Sequence, residues 1–349
     1  MMRIPGSVPR WTRRSITVLI AAVAVTAHLV GCSSSDPADP GSATTADASF
    51  PKTLRHMYGE TVLDSTPARV ATWGAGATDA VLALGVMPVA MPSTTYGGGD
   101  DLTYPWIAES IARNGGEAPA LLDDVLGPLS VEKLVAADPD VLLAPHSGLT
   151  RSEYDAVTSA GIPVVAPPSE LWSTPWRDTI GVTGEVLGKS VEATELVSEL
   201  DQQVVDAGAG HPEFRDRTIA YVSEAQDVYY LLLPSDPRVE LLENLGFTSD
   251  PSVTELATGD STFSTAVSSE EISRIDASVV FTQVDTDAAL REFLSSDVSR
   301  QIPAVAAGAV AGFVGQEAGA AIGPTALTIP YFLPTLVDGL ATAVNATER

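Results

Sequence analysis

The stretch that decides the fold is LSVEKLVAADPDVLL, from Leu129 to Leu143, together with its counterpart VSSEEISRIDASVVF, from Val267 to Phe281. In each stretch a serine at a helix N-cap position precedes a glutamate in the first turn, and an apolar run typical of a strand follows. The two stretches form a weak internal repeat. Since each copy indicates one helix followed by one strand, the repeat predicts two similar lobes in one chain.

Strands and helices also alternate around the first copy of the repeat. Thr78 and Asp79 follow a glycine turn and are expected to cap a short helix. The alternation predicts an α/β lobe with a mainly parallel sheet. The expected elements are strands at 69–73, 88–91, 141–144 and 162–165 and helices at 80–84, 131–137 and 154–160.

Between Trp176 and Val205 the turn signals stop. Apolar residues recur there at one or two helical turns, which predicts a helix of about 30 residues and about 45 Å. Gly188 predicts a kink or a close packing contact within it. The alternation then resumes beyond 208–212. The expected elements are strands at 218–222, 229–233 and 279–282, a helix at 239–244, one or two strands within 305–314, and a closing helix at 329–344.

The composition excludes several classes of protein. The chain has 349 residues, 45% of them hydrophobic, which suits a folded protein of one large or two medium domains. With 45 acidic against 19 basic residues and a formal charge of −26, it lacks the clustered lysines and arginines that nucleic-acid binding needs. The single cysteine excludes an intrachain disulfide and a zinc site built from cysteines.

The N-terminus is predicted to be an export signal. Four arginines precede an uncharged, largely apolar run that at about 16 residues is short for a membrane-spanning helix. The run ends in Leu-Val-Gly-Cys at Cys32, which resembles the bacterial lipobox, whose cysteine receives lipid and becomes the mature N-terminus. The alternative is an uncleaved signal anchor with an incidental cysteine. Cleavage leaves 15 basic against 45 acidic residues, a net charge of −30.

Several further stretches occur in a definite order along residues 65–345. They are Pro67–Val70, Thr78–Val89, Leu129–Leu143, Gly161–Val165, Leu187–Lys189, Leu241–Phe247 and Ser269–Phe281. In this order and spacing the chain resembles the class III substrate-binding proteins of ABC importers, the helical-backbone receptors for ferric siderophores, haem, cobalamin and related chelates. The resemblance implies an α/β fold of two Rossmann-like lobes with mainly parallel sheets, joined by one long α-helix, with a ligand cleft between the lobes.

The predicted organisation has five parts. Residues 33–49 lack large apolar side chains, as a flexible tether does. A lipid attached to Cys32 would hold the folded body at the extracytoplasmic face of the cell membrane. The parts are a lipoprotein signal peptide at 1–31, a tether at 32–51, an N-terminal α/β lobe at 52–174, a connecting helix at 175–208 and a C-terminal α/β lobe at 209–349.

The resemblance implies a role for one glutamate in each lobe, Glu132 and Glu270. In the family, the glutamate at this position docks onto arginines of the membrane permease. The register agrees between the lobes, because Glu132 lies eight residues before Asp140 and Glu270 eight before Ser278. One alternative is that both glutamates only complement a helix dipole. Another is that the neighbouring Glu271 is the docking residue of its lobe.

Candidate ligand-binding residues lie just past the ends of predicted strands, where clefts of α/β lobes form. The loop STTYGGGDDLTYPW at 93–106 is polar, glycine-rich and aromatic, a composition suited to binding. Arg238 is expected to meet an anionic ligand or, alternatively, to bridge surface acids. For each aromatic side chain taken singly, core packing is the alternative. The candidates are Trp73, Tyr96, Tyr104, Trp106, His146, Trp172, Tyr229, Tyr230 and Arg238.

Neither direct metal binding nor catalysis is expected. Once the signal is removed, His56, His146 and His211 remain, too few and too scattered for a site of three or four metal ligands. Iron is therefore expected to arrive as an organic chelate, and no cofactor is expected. The chain contains no G-x-S-x-G elbow, P-loop or H-E-x-x-H motif.

The resemblance implies a monomeric lipoprotein that captures a ferric siderophore or similar iron chelate and delivers it to an ABC permease and its ATPase. One alternative is a cobalamin or haem receptor of the same fold. Another is a surface lipoprotein with a protein-interaction or sensing role. The choice of chelate depends on loop geometry, which hydrophobic periodicity does not reveal.

Overall fold

The computed structural model describes residues 49–225 and 228–346, in which strands and helices alternate through two α/β lobes. In the N-terminal lobe five strands form one sheet in the order β5-β4-β3-β6-β7, with all neighbours parallel. The elements of this lobe are β1 (Lys52–His56), β2 (Gly59–Leu63), β3 (Val70–Thr72), α1 (Ala77–Ala83), β4 (Ala90–Ser93), α2 (Pro105–Asn114), β5 (Ala120–Asp124), α3 (Val131–Ala136), β6 (Val141–Leu143), α4 (Arg151–Ser159) and β7 (Val164–Val165).

The two central strands of this sheet, β3 and β6, are mostly apolar, with Thr72 as the one polar residue. β3 and β6 are fully buried, which is what a parallel sheet enclosed on both sides requires. The antiparallel hairpin of β1 and β2 lies beside the sheet, where Thr61 Oγ1 donates a 2.6 Å hydrogen bond to the carbonyl oxygen of Val164 in β7. The predicted alternation and parallel pairing of this lobe are confirmed.

The connection between the lobes is made of two consecutive helices, α5 (Trp176–Leu187) and α6 (Ser190–Ala209). α5 ends at Gly188, whose φ of 66° is the left-handed conformation that glycine adopts without strain. The interruption lies at Gly188, where a kink or a close packing contact was predicted, but it divides the expected helix of about 30 residues into two. The chain folds back sharply enough that Gly184 of α5 packs against Ala193 of α6.

We expect Gly184→Ala to lower the free energy of unfolding by about 1–3 kcal/mol. A Cβ at Gly184 would overlap the Ala193 Cβ and lie 2.9 Å from the Lys189 carbonyl oxygen, so the two helices would have to move apart. Gly181→Ala is the matched control in the same helix, because a Cβ there meets nothing within 4 Å and should stabilise by about 0.5–1 kcal/mol. Urea unfolding measures both. Equal effects of the two variants would contradict this packing.

The C-terminal lobe has a mixed sheet in the order β11-β9-β8-β12-β13, with β10 also paired to β8. β10, β8, β12 and β13 pair in parallel, whereas β9 and β11 pair antiparallel at one side. Its elements are β8 (Thr218–Ala225), β9 (Val228–Leu232), α7 (Pro237–Asn244), β10 (Thr248–Ser249), α8 (Pro251–Glu255), β11 (Ser264–Val267), β12 (Val279–Val284), α9 (Asp287–Ser295), α10 (Pro303–Ala307), β13 (Val310–Val314), α11 (Gln316–Ala321) and α12 (Thr328–Ala346).

Two expectations for this lobe are wrong. Residues 303–307 form helix α10 rather than the start of a strand, because Pro303 opens a helical turn that Gly308 ends. The second copy of the repeat contains only a short 3-10 helix, Ile272–Arg274, where the first copy has α3. Ser130 caps α3 by accepting from the Lys133 backbone, whereas the hydroxyl of Ser268 donates to the Glu271 side chain instead.

One hydrophobic core is shared by the connecting helices and both lobes. α5 and α6 contribute Ile180, Leu187 and Leu200, which belong to the same buried cluster as Leu143 and Phe281 of the two central sheets. Each lobe also has a separate cluster on the other face of its sheet. In the two described ranges no helix is both long enough and apolar enough to cross a membrane.

Candidate functional site

The N-terminal sheet reverses its strand order between β3 and β6, and the loops that follow these two strands separate to open a crevice. Crevices at such switch points are where α/β sheets bind ligands. The loops are joined at their base, because the Ala75 backbone N–H donates to the His146 carbonyl oxygen at 2.9 Å. Gly74 has a φ of 91°, and a Cβ there would overlap the same carbonyl oxygen. Glycine is therefore required for the two loops to lie this close.

A cavity of about 200 Å³ lies between this crevice and the C-terminal lobe. Its walls come from three parts of the chain, so the cavity is an inter-lobe site. The lining residues are 74–76, 78, 79, 91–94, 103, 104, 106, 107, 125 and 146 in the N-terminal lobe, 174, 176, 179 and 180 at the start of the connecting helices, and 237, 320, 323–326 and 328 in the C-terminal lobe.

Aromatic rings form one wall of the cavity. The rings of Tyr104 and Trp106 stack with centroids 4.5 Å apart and an interplanar angle of 12°. The ring of Tyr331, from the C-terminal lobe, also packs against Trp106, with the two ring centroids 5.3 Å apart. Trp176 adds a third lining ring, whose outer face carries the Arg177 guanidinium at 4.3 Å. Tyr104 and Trp106 are two of the predicted ligand-binding residues, and the structure brings them together at the cavity.

A buried carboxylate, Asp79, also lines the cavity and joins the lobes. Its Oδ1 accepts a 3.1 Å hydrogen bond from Trp106 Nε1 and a 2.6 Å hydrogen bond from the hydroxyl of Thr325 in the C-terminal lobe. Burial raises the pKa of Asp79, and the hydrogen bonds from Thr325, from its own backbone N–H and from Trp106 oppose that rise.

The expectation that Thr78 and Asp79 cap a helix is wrong. α1 has Gly76 at its N-cap and no side-chain cap, and Asp79 lies inside the first turn. The sequence analysis therefore missed the position of Asp79 in the cavity wall. One sequence feature could have indicated it: Asp79 is the only charged residue in the run ATDAVLA. A carboxylate on a buried helix needs hydrogen-bond or charged partners, which suggests a specific role.

Two buried polar atoms at the cavity have no hydrogen-bond partner among the described residues, namely His146 Nδ1 and Thr179 Oγ1. Burial lowers the pKa of His146, and a hydrogen bond with the Thr174 backbone partly opposes this. The imidazole is accordingly held in its neutral form near pH 7. Trp172, another predicted site residue, is 41% exposed and packs edge-on to His146 at 5.8 Å.

Tyr96 connects the lobes beside the cavity. Its hydroxyl donates a 2.8 Å hydrogen bond to Asp285 Oδ1, in the loop after β12. Burial and the Asp285 carboxylate raise the pKa of Tyr96 to about 12. Tyr96 therefore remains a neutral hydrogen-bond donor throughout the physiological pH range.

Six of the nine predicted ligand-binding residues are not among the residues that line the cavity: Tyr96 and Trp172, described above, and four more. Trp73 is 2% exposed and packs inside the N-terminal lobe. Tyr229 is 5% exposed and shares a 3.0 Å hydrogen bond with Ser299 in the C-terminal lobe. Tyr230 is half-buried on β9, opposite Ala266 of β11.

The fourth, Arg238, forms an ion pair within its own helix terminus. Its Nε and Nη2 donate to the two carboxylate oxygens of Asp236 at 2.8 and 2.6 Å. The guanidinium also lies 5.6 Å from the ring of Tyr221. The positive charge of Arg238 is thus matched by a buried carboxylate.

The predicted docking glutamates differ in their local structure. Glu132 lies exposed in the first turn of α3, and Glu270 lies exposed in the turn before the 3-10 helix at Ile272–Arg274. Neither side chain forms an ion pair with any residue of the described ranges. Glu271, the alternative docking residue, instead pairs with Arg274 at 3.2 Å.

Comparison with known proteins identifies the family. The family described as periplasmic binding protein matches residues 121–313. The crystal structure of PiaA from Streptococcus pneumoniae TIGR4 in complex with ferrichrome is 32% identical, with a TM-score of 0.76 over 84% of this chain and 99% of that chain. The chain belongs to the periplasmic binding protein family. The predicted resemblance to class III substrate-binding proteins, with two lobes of α/β architecture, is confirmed.

Two more solved structures extend the comparison. The iron uptake ABC transporter substrate-binding protein PiaA from Streptococcus pneumoniae TIGR4 is 30% identical, with a TM-score of 0.73 over 84% of this chain and 100% of that chain. A periplasmic solute binding protein from Mycobacterium smegmatis is 24% identical, with a TM-score of 0.71 over 84% of this chain and 98% of that chain, and shares the fold. The curated proteins contain no match. The predicted lipid attachment residue, Cys32, lies outside the described residues.

Proposed function

We propose that this protein is the extracytoplasmic substrate-binding lipoprotein of an ABC importer, and that it captures a ferric siderophore or similar iron chelate between its lobes. The observation that carries the proposal is the inter-lobe cavity with the stacked rings of Tyr104 and Trp106 on its wall. Flat aromatic faces and hydroxyl donors suit a large chelate with an apolar exterior and polar iron-binding groups. The relative that is 32% identical was solved in complex with ferrichrome.

The proposed binding mode encloses the chelate between walls from both lobes. Hydrogen bonds from Thr325 to Asp79, in the cavity wall, and from Tyr96 to Asp285 join the two lobes. The shared core of α5 and α6 resists a wide hinge motion, so closure on the ligand is expected to be limited. The protein contributes binding and orientation, and iron remains coordinated by the chelator without catalysis or a resident cofactor.

Delivery is proposed to depend on Glu132 and Glu270, one per lobe. Both carboxylates are exposed, so each is accessible to an arginine of the permease. Glu271 is the weaker candidate because Arg274 already neutralises it at 3.2 Å. The permease, with its ATPase, is thus the proposed protein partner of a monomeric receptor.

Anchoring is proposed to depend on Cys32. The lipobox-like Leu-Val-Gly-Cys would place a lipid at the start of the mature chain, and residues 32–51 would link it to strand β1. Cys32→Ser is expected to release the protein from the membrane fraction into the soluble fraction. Retention of this variant in the membrane would contradict the lipid anchor.

Tryptophan fluorescence tests chelate capture, since Trp106 and Trp176 both line the cavity. We expect quenching that saturates at one equivalent of a ferric chelate, with a dissociation constant in the micromolar range or below. The panel contains ferric hydroxamate, catecholate and carboxylate chelates, haem and cobalamin, and the iron-free chelators serve as controls. Quenching by haem or cobalamin alone would indicate the alternative receptors, and no quenching by any member would contradict the proposal.

A further inference from the structure

Arg177, in the first turn of α5, lies outside the cavity and yet contacts its wall. It is not among the residues that line the cavity, whereas its neighbour Trp176 is. The guanidinium lies over the indole ring of Trp176, with its central carbon 4.3 Å from the ring centroid. A guanidinium over an aromatic face is attracted by the electrons of the ring, and tryptophan gives the strongest attraction. The position of a cavity-lining ring therefore depends on the position of Arg177.

The guanidinium is itself fixed by two carboxylates from different helices. Its Nε and Nη2 donate to Asp201 of α6 at 3.0 and 2.6 Å, and its Nη1 donates to Glu240 of α7 at 2.8 Å. The three side chains are between 29% and 44% exposed, so solvent screens these ion pairs only in part. A guanidinium that binds two carboxylates through different N–H groups is fixed in both position and orientation, unlike one in a single exposed ion pair.

The start of α5 depends on these contacts because its own terminus has no side-chain cap. The N-cap residue is Pro175, whose side chain accepts no hydrogen bond from the first turn. Towards the N-terminal lobe, the hydroxyl of Thr174 donates a 2.5 Å hydrogen bond to the carbonyl oxygen of Pro145. Towards α6 and α7, the ion pairs of Arg177 make the attachment. The lining residues Thr174 and Trp176 are therefore fixed by contacts with both neighbouring parts of the chain.

The contact with Glu240 also joins two parts of the cavity wall. α7 begins at Pro237, which lines the cavity from the C-terminal lobe, and Glu240 follows it by about one helical turn. Arg177 therefore links the helix that carries Trp176 to the helix that carries Pro237. Loss of the guanidinium would uncouple these two helices without removing any residue that lines the cavity.

Resting on the proposed function, we propose that Arg177 is a positioning residue for chelate binding, which fixes the ring of Trp176 in the cavity wall and attaches the start of α5 to α7. Arg177 does not contact the ligand, and its effect on affinity passes mainly through Trp176. A ring that is free to change its orientation loses that freedom when a ligand packs against it, and the loss weakens binding. By fixing the ring beforehand, Arg177 reduces this cost.

Affinity of the whole protein for ferrichrome tests this role. Arg177→Gln, which removes the cation, should weaken binding by about five- to tenfold. Arg177→Lys keeps a cation beside Trp176 but cannot bind both carboxylates in the same way, and should weaken binding by only about twofold. Arg151→Gln is the matched control, because Arg151 also pairs with a carboxylate, Asp155, and lies over an aromatic ring, that of Tyr58, away from the cavity lining. It should leave the affinity unchanged.

A comparison of double variants separates positioning from a general structural role. In a Trp176→Phe background, Arg177→Gln should weaken binding by about twofold or less, because its effect passes mainly through the indole that is no longer present. Tryptophan emission provides a readout that needs no ligand. Arg177→Gln should change the emission spectrum of the protein, and the change should disappear in the Trp176→Phe background. Arg151→Gln should leave the spectrum unchanged.

The outcomes separate this inference from the proposed function. Wild-type affinity in Arg177→Gln would overturn the positioning role while leaving chelate capture intact, and so would a five- to tenfold loss that persists in the Trp176→Phe background. If Arg177→Gln does not fold, Asp201→Ala provides a second variant and should weaken binding by about threefold or more. If another chelate of the fluorescence panel binds and ferrichrome does not, the same variants are compared with that chelate. If no ferric chelate binds at all, both proposals are wrong.

Discussion

Exchange of both Glu132 and Glu270 for arginine is expected to abolish uptake of the chelate while leaving its binding unchanged. Both carboxylates are exposed, and neither forms an ion pair with a described residue, so charge reversal should not disturb the fold. At the permease each reversal replaces an attraction between carboxylate and guanidinium with repulsion between two cations. Because the two contacts act on one complex, the double variant should lower uptake by at least about 100-fold.

The measurement is transport of radio-iron chelate by cells or proteoliposomes that contain the permease and its ATPase, together with fluorescence titration of the same variants. Glu271→Arg is the matched control, since Glu271 is adjacent in sequence and already paired with Arg274. It should transport at close to the wild-type rate. Normal uptake by the double variant, or equal loss in Glu271→Arg, would contradict the docking assignment.

Trp73→Ala is expected to lower mainly the stability of the protein, and Trp172→Ala mainly its affinity for the chelate. Trp73 is almost fully buried in the N-terminal lobe, so its removal should cost about 3–5 kcal/mol of unfolding free energy. Trp172 is 41% exposed and contacts His146, so its removal should cost about 1 kcal/mol or less. We expect Trp172→Ala to weaken chelate binding by about tenfold, because it uncovers one side of His146 at the cavity.

Urea unfolding measures the stability of both variants, and titration with the ferric chelate measures binding by the fraction that remains folded. Trp73→Phe is the conservative control and should recover part of the lost stability, because its ring fills much of the same space. If Trp73→Ala were as stable as wild type and lost binding specifically, Trp73 would be a ligand contact. The packing of the N-terminal lobe described above would then be wrong.

The sequence was most informative about the fold where apolar residues repeat over whole elements. The ends of β3 and β6 were predicted to within two residues. A short apolar run between two helices is typical of a strand in a parallel sheet that is covered on both faces. The division into α5 and α6 could be suspected from Gly188 alone. Whether a glycine bends a helix or ends it depends on packing, here on the contact of Gly184 with Ala193.

The candidate site was predictable only in part. Tyr104 and Trp106 were expected at the cleft because a polar, glycine-rich loop that carries aromatic residues favours binding. Trp73 fits the same strand-end rule and yet lies in the core, because the rule gives the end of the strand and not the direction of the side chain. Asp79 and Thr325 are 246 residues apart, and no local pattern indicates that their side chains meet at 2.6 Å.

The repeat shows a similar limit. Glu132 and Glu270 occupy equal positions in sequence, but only Glu132 lies on an α-helix. Serines at 268, 269 and 273 offer competing side-chain hydrogen bonds, whereas the first copy is built from better helix formers. Equivalence of the two glutamates in function therefore depends on their exposure and charge rather than on a shared helix.

Equilibrium dialysis of radio-iron ferrichrome against the purified protein tests the central claim most directly. The inter-lobe cavity, its aromatic wall and the absence of lysine and arginine among its lining residues in the described ranges all support capture of an uncharged ferric chelate. We predict one equivalent bound, with a dissociation constant of about 1 µM or below, and loss of at least about tenfold in affinity for Trp106→Ala. No retention of ferrichrome by folded protein at about 100 µM would contradict the account.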